Sequence, residues 1–81
     1  MIRDIVLQKI REIRPVPQPI TENSHLYADL GYDSLSFIRL LVAIEDTCHV
    51  TFDITEMESC LQVGRLIEYV ENKQRERGEH A

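Results

Sequence analysis

The sequence contains no tryptophan, and aromatic residues make up only 6% of its 81 positions. Proteins that bind single-stranded nucleic acid use aromatic side chains as stacking surfaces, so this scarcity argues against that class. The charge points the same way, because 14 acidic residues against 9 basic ones give a net charge of −5. An acidic surface repels phosphates and attracts basic protein surfaces. We therefore expect protein partners and no binding of nucleic acid.

Long apolar runs are also missing. No stretch approaches the roughly 18 apolar residues that a membrane-spanning helix requires. The N-terminal sequence MIRDIVLQKIREIR mixes charged and aliphatic residues, and it lacks the apolar block of a secretory signal peptide. These absences predict a cytoplasmic protein with no membrane span.

Cysteine and histidine are too few and too scattered to indicate a metal or catalytic cluster. Cys48 and Cys60 each lie among apolar neighbours, which predicts buried reduced thiols, with a disulfide as the alternative. No spacing typical of metal ligands relates the three histidines, which are His25, His49 and His80. Ser34 and His25 could be imagined as nucleophile and base, but no third group that would orient the imidazole is identifiable. We predict neither a metal site nor intrinsic catalysis.

Apolar residues recur at helical spacing in three segments, which predicts three amphipathic helices. The first covers residues 2–14 and ends there, because proline at position 15 disfavours helical backbone in the residue before it. Its apolar face holds Ile2, Ile5, Val6, Ile10 and Ile13. The second helix covers about residues 34–49, and the third begins at about Gln62 and should fray after about Lys73.

A shorter helical turn is predicted over residues 55–60, because Thr55 followed by Glu58 fits a capping box. The fold class is therefore all-α: a small bundle of three longer helices plus one short helix. We expect a single domain over residues 1–76 and a frayed C-terminal tail over residues 77–81.

The first two predicted helices are joined by an unusually long loop over residues 15–33. Three prolines at positions 15, 17 and 19 exclude a helix at its start. Irregular connections of this length are uncommon in compact domains and tend to be functional or firmly attached to the core. Leu26, Tyr27 and Leu30 are the expected anchors, and Gly31 supplies a tight turn before the next helix.

The second predicted helix carries two apolar stripes. Side chains at three- and four-residue spacing form the expected core face, namely Phe37, Ile38, Leu41, Ile44 and Cys48. A narrower stripe on another side consists of Leu35, Arg39, Val42 and Asp46. The two apolar residues of the narrower stripe should be partly exposed.

The segment Asp29-Leu30-Gly31-Tyr32-Asp33-Ser34-Leu35 places a hydroxyl after a glycine turn, at the first residue of a helix. Either Asp33 or Ser34 can cap that helix. The unpaired N–H groups and the positive dipole end of a helix N-terminus favour an anion such as a phosphodiester on Ser34. Asp33 could orient a metal ion or an incoming cofactor. For an isolated serine, a role as helix cap alone is the simpler interpretation.

With this segment, the chain resembles the acyl and peptidyl carrier protein family. The resemblance extends through LLVAIED at positions 40–46 and VGRLIEYV at positions 63–70, so it covers nearly the whole chain. It implies that a phosphopantetheinyl transferase attaches 4′-phosphopantetheine from coenzyme A to Ser34, with Asp33 and Leu35 beside it. The thiol of that arm would hold acyl or aminoacyl intermediates as thioesters, and the carrier itself would catalyse nothing.

The resemblance also implies that partner enzymes dock on the helix after the serine. By this resemblance, Leu35 and Val42 are docking positions, and Arg39 and Asp46 lie on the same stripe. The alternative interpretation of Leu35 and Val42 is that they belong to the periphery of the core. The partners expected are acyl- or aminoacyl-loading and processing enzymes, and we expect the chain to be a monomer.

Carriers of primary fatty acid synthesis usually line this helix with carboxylates, whereas this chain has Ser36 and Arg39 there. We therefore predict a discrete carrier of a polyketide, nonribosomal peptide or other specialised pathway. Tyr32 stands where peptidyl carriers often have a second glycine, so the choice between acyl and aminoacyl cargo stays open. The alternatives are a general fatty acid carrier and a helical adaptor that is never modified.

Overall fold

Four helices make up the fold in a computed structural model that describes residues 2–79. They are α1 (Ile2–Ile13), α2 (Ser34–Cys48), α3 (Ile54–Met57) and α4 (Val63–Glu79). Within residues 2–79 no strand forms, and one isolated bridge joins the backbones of His25 and Gln62. The predicted all-α bundle, with three longer helices, one short helix and a long loop before α2, is confirmed.

The core lies among the three long helices and takes side chains from the loop and from α3 as well. Its fully buried apolar members include Val6, Ile10, Leu26, Leu40, Ile44, Met57, Leu66 and Val70. Cys48 and Cys60 are also buried and unpaired, as predicted for reduced thiols. Burial raises the pKa of both thiols, which makes them less reactive at neutral pH.

The core face of α2 differs from the predicted face at two positions, 38 and 40. The buried residues are Phe37, Leu40, Leu41, Ile44 and Cys48. Ile38 was expected among them, but it is 50% exposed, and Leu40 is fully buried instead. With 3.6 residues per turn, the buried face is centred near Phe37 and Ile44. Positions 38 and 40 flank this face on opposite sides, and spacing alone cannot tell which of the two points inward.

The capping box predicted for the short helix is wrong. Asp53 is the N-cap of α3, and its Oδ1 accepts hydrogen bonds from the Thr55 backbone N–H at 2.9 Å and from the Thr55 hydroxyl at 2.6 Å. The Thr55 hydroxyl thus donates a hydrogen bond to the Asp53 carboxylate, and Asp53 caps the helix in place of Thr55. The hydrogen bond from that hydroxyl is the largest cause of the lowered pKa of Asp53. The helix begins at Ile54 and ends at Met57, so it is shorter than predicted.

Helix α4 continues beyond Lys73, where the apolar pattern ends, and extends through Glu79. Gln74 donates to the Cys48 carbonyl at 3.2 Å, and Lys73 lies over the Tyr69 ring at 5.3 Å. The residues beyond Lys73 are mostly good helix formers, which explains why helix persists without an apolar face. Residues 80 and 81 of the predicted tail lie outside the described residues, and the domain boundary at residue 76 stays a prediction.

The long loop is attached to the start of α4 by its backbone. Leu26 N–H donates to the Leu61 carbonyl at 2.8 Å, and Gly64 N–H donates to the Glu22 carbonyl at 2.9 Å. Leu26 and Leu30 are buried and Tyr27 is half-buried, so the three predicted anchors are confirmed. The loop approaches so closely that a Cβ added to Gly64 would lie 3.0 Å from the Glu22 carbonyl oxygen.

Gly64→Ala should destabilise the domain by about 1 kcal/mol, because the added methyl displaces the loop backbone and this outweighs the gain in helix propensity. Urea unfolding followed by circular dichroism measures the change. Thr47→Ala is the matched control, since it brings the same alanine to an exposed helical position with no such contact. Equal stabilisation of the two variants would contradict the close approach of loop and helix.

Candidate functional site

Ser34 is the first residue of α2 and is exposed. The preceding turn depends on Gly31, whose φ of 74° is a left-handed conformation that glycine adopts readily. The N-cap is Asp33, which accepts a hydrogen bond from the Ser36 N–H at 2.8 Å. None of the hydrogen bonds within residues 2–79 involves the Ser34 hydroxyl. The hydroxyl is therefore accessible for chemistry and is not the helix cap.

The electrostatic environment at the start of α2 favours an anion. The hydrogen bond from the Ser36 backbone N–H is the main reason that the pKa of Asp33 is lowered, and the charge of Arg14 contributes in the same direction. The first turn of α2 contains no acidic residue. With Asp33 occupied as the cap, the remaining free N–H groups and the positive end of the helix dipole face the side of Ser34.

Tyr32 holds this turn against α1. Its side chain is only 3% exposed, and its hydroxyl donates to the Ile10 carbonyl at 2.6 Å. Its backbone N–H donates to the Leu26 carbonyl at 2.9 Å, so the residue is tied both to the helix and to the loop. Burial raises the pKa of Tyr32 to about 12, partly opposed by Arg14. Sequence reasoning noted Tyr32 only as a departure from glycine and missed this positioning role.

An apolar groove opens beside Ser34, with a cavity volume of about 280 Å³. Besides Ser34 itself, its lining comes from α2, the loop and the α3 region: Tyr27, Phe37, Ile38, Leu41, Met57, Glu58 and Leu61. The rings of Tyr27 and Phe37 meet edge to face at 6.0 Å and form one wall. Sequence reasoning did not find this groove, because it joins residues that are distant along the chain.

The predicted narrower stripe of α2 lies on the surface. Leu35 is 61% exposed and Val42 is 50% exposed, so neither belongs to the peripheral core. Arg39 and Asp46 are exposed beside them. Ile38, which was predicted as core, joins this surface and also borders the groove. The face formed by Leu35, Ile38, Arg39 and Val42 is called the α2 face below.

The histidines do not join the site as a catalytic group. His25 Nδ1 accepts a hydrogen bond from the Ala28 N–H at 3.1 Å, within a turn of the loop. His49 ends α2 in a left-handed conformation with φ 56°, and His80 lies outside the described residues. The described side chains include no group of three or more His, Cys, Asp or Glu arranged to hold a metal ion.

Comparison with known proteins agrees with this geometry. A profile of the family described as "Phosphopantetheine attachment site" matches residues 4–70. The chain belongs to this family. Its cofactor is 4′-phosphopantetheine, held covalently, and the family consists of carriers that partner enzymes modify and load. The predicted resemblance to carrier proteins is therefore confirmed.

Curated relatives of this carrier match over most of their length. The chain is 29% identical over 70 residues to the acyl carrier protein of Campylobacter curvus, covering 86% of this chain and 87% of the relative. The acyl carrier protein of Wolinella succinogenes is likewise 29% identical over 70 residues, with 86% and 88% covered. That of Campylobacter hominis is 27% identical over 71 residues, with 88% and 86% covered. Across residues 2–79 of the carrier, no helix is both long and apolar enough to cross a membrane.

Tyr32→Phe should lower the stability of the carrier by about 1 kcal/mol at neutral pH, through loss of the hydrogen bond to Ile10. The substitution should also make the free energy of unfolding less dependent on pH between pH 10 and pH 12. Because folding raises the pKa of Tyr32 from 10.0 to about 12, its neutral form stabilises the fold fully below pH 10, and this stabilisation is lost as the pH rises toward 12.

Urea unfolding of wild type and variant from pH 7 to pH 12 tests this expectation, and their difference removes the contribution of the buried cysteines. Tyr27→Phe is the control, since the Tyr27 hydroxyl takes part in none of the hydrogen bonds of residues 2–79. A Tyr32→Phe profile parallel to that of wild type above pH 10 would contradict the assignment.

Proposed function

We propose that Ser34 is the attachment residue and that this carrier holds acyl or aminoacyl intermediates as thioesters on the arm. The observation that carries the proposal is the exposed, uncommitted hydroxyl at the first residue of α2. A phosphodiester there would meet free backbone N–H groups and the positive end of the helix dipole. Asp33 would orient a metal ion or the incoming cofactor during attachment, and Leu35 would lie beside the arm.

A flexible arm suits the carrier role, because a tether raises the effective concentration of its cargo at each partner's active site. The groove beside Ser34 supports this function as well. Its mostly apolar lining could shield the methylene groups of the arm or of a short acyl chain from water. The chain contributes the attachment point and the docking surface, and the chemistry belongs to its partners. In this proposal the carrier is not an enzyme.

We further propose a specialised pathway, such as polyketide or nonribosomal peptide assembly, for this carrier. Ser36 and Arg39 support it, because α2 lacks carboxylates until Glu45. The names of the relatives favour acyl over aminoacyl cargo and keep a general fatty acid carrier as the second candidate. A cytoplasmic location and a monomeric state remain predictions, as does docking through Leu35, Arg39, Val42 and Asp46.

Incubation with coenzyme A and a permissive phosphopantetheinyl transferase should add one phosphopantetheine to the wild-type protein, measured as intact mass. Ser34→Ala should abolish the gain, because the nucleophilic oxygen is gone. Ser36→Ala, two residues away on the same helix, should retain it. If wild type gains no mass under conditions that load a control carrier, the unmodified adaptor is the correct interpretation.

Val42→Asp should lower kcat/KM for loading by a cognate enzyme about tenfold, equivalent to about 1.4 kcal/mol. A carboxylate placed in an apolar contact must be desolvated without a partner. Helical content should stay near normal, because Val42 is half exposed. Thr47→Asp adds the same charge to α2 outside the α2 face and should leave loading unchanged. Unfolding of the Val42 variant would show that this residue belongs to the core.

A further inference from the structure

The α2 face has an unusual charge for a protein with a net charge of −5. Arg39 is the single charged residue among the first eleven residues of α2, positions 34–44. It lies one turn after Leu35 and one turn before Val42, so it is surrounded by the exposed apolar side chains of the face. The positive end of the helix dipole adds to its charge at the Ser34 end.

Arg39 is also free to meet a partner. Among the side chains that the structure describes, ion pairs join Arg3 to Glu22, Lys9 to Glu12 and Lys73 to Glu56, and none includes Arg39. The first carboxylate along α2 is that of Glu45, and it accepts a hydrogen bond from the Phe52 N–H at 2.8 Å. Asp46 is exposed but lies one turn beyond Val42, toward the far end of the helix. The outer side of α2 from Leu35 to Val42 is therefore apolar and positive, and the neighbouring carboxylate of Asp33 is engaged as the helix cap by the Ser36 N–H.

We propose that the loading enzyme that docks on the α2 face presents an apolar cleft for Leu35, Ile38 and Val42, with a carboxylate that pairs with Arg39. This proposal rests on the proposed function, and it specifies the chemistry of the partner. An enzyme with a basic docking surface would place like charge against Arg39 and would desolvate it without compensation. An acidic residue within an apolar cleft satisfies the guanidinium and buries the three apolar side chains together.

The probe is an acyl- or aminoacyl-loading enzyme that loads the wild-type phosphopantetheine form of this carrier. Every variant is first converted to the phosphopantetheine form, and its intact mass is checked, so a failure of attachment at Ser34 is seen separately from a failure of docking. Arg39→Glu should lower kcat/KM for loading at least tenfold, and added salt should recover part of the loss, because repulsion between exposed charges is screened. Arg39→Gln should give an intermediate loss.

Arg75→Glu is the matched control. It makes the same charge change on an exposed position of α4, near the end of that helix that contacts Cys48 at the far end of α2. It should leave loading unchanged. An unchanged or higher kcat/KM for Arg39→Glu would overturn the proposal, since the partner surface would then be neutral or basic at this point.

A second measurement detects the carboxylate itself. Arg39→Lys supplies a primary amine that a carbodiimide can couple to a nearby carboxyl group, forming an amide with loss of water. Peptide mass spectrometry of the treated carrier–enzyme mixture should find position 39 joined to an Asp or Glu of the enzyme, and Arg75→Lys should give no such product. Absence of the position-39 product, in a mixture where the variant is still loaded, would count against the proposal.

Discussion

The hydrogen bond from the Tyr32 hydroxyl to the Ile10 carbonyl joins the turn before α2 to the last full turn of α1. Ile10 already accepts the backbone N–H of Arg14, so this carbonyl serves both the end of α1 and the turn. Because the Tyr32 ring is buried with it, the turn cannot move without exposing apolar surface and leaving polar groups unpaired. The direction in which α2 starts, and hence the place of Ser34, depends on this contact.

Asp33 and Ser34 have different roles at the start of α2. Asp33 satisfies the helix N-terminus as its cap, and this leaves the adjacent hydroxyl without a structural task. Gly31 provides the left-handed backbone that lets the chain turn from loop to helix in so few residues. The same loop supplies Tyr27 to the groove and attaches to α4 near Gly64. One irregular segment thus positions the hydroxyl, one wall of the groove and the third long helix.

The side chains of α2 face three different surroundings: the core, the groove and solvent. Leu40 and Ile44 face the core, Phe37 and Leu41 line the groove, and Leu35 and Val42 face solvent. Ile38 lies between the groove and solvent, so it borders the groove and is also half exposed. A helix of 15 residues can serve the core, the arm and a partner because Leu35 and Val42 lie roughly opposite the buried face, while the groove lies along that face beside Ser34. Arg39 makes the solvent-facing side of α2 positively charged.

Residue spacing and turn residues were enough to predict the helices, the long loop and a serine at the head of α2, because each depends on neighbours within a few positions. The bounds of α1 and α2 differ from the predicted ones by one residue, whereas α3 ends three residues early and the polar end of α4 stays helical although it lacks an apolar face. The cap of α3 was misjudged where Asp53 and Thr55 compete locally. The groove, the exposure of Ile38, the anchor at Tyr32 and the approach of Gly64 to Glu22 became visible only when the helices were packed together. Each of these joins segments distant along the chain or depends on which side of a helix its neighbours cover, and local periodicity contains neither kind of information.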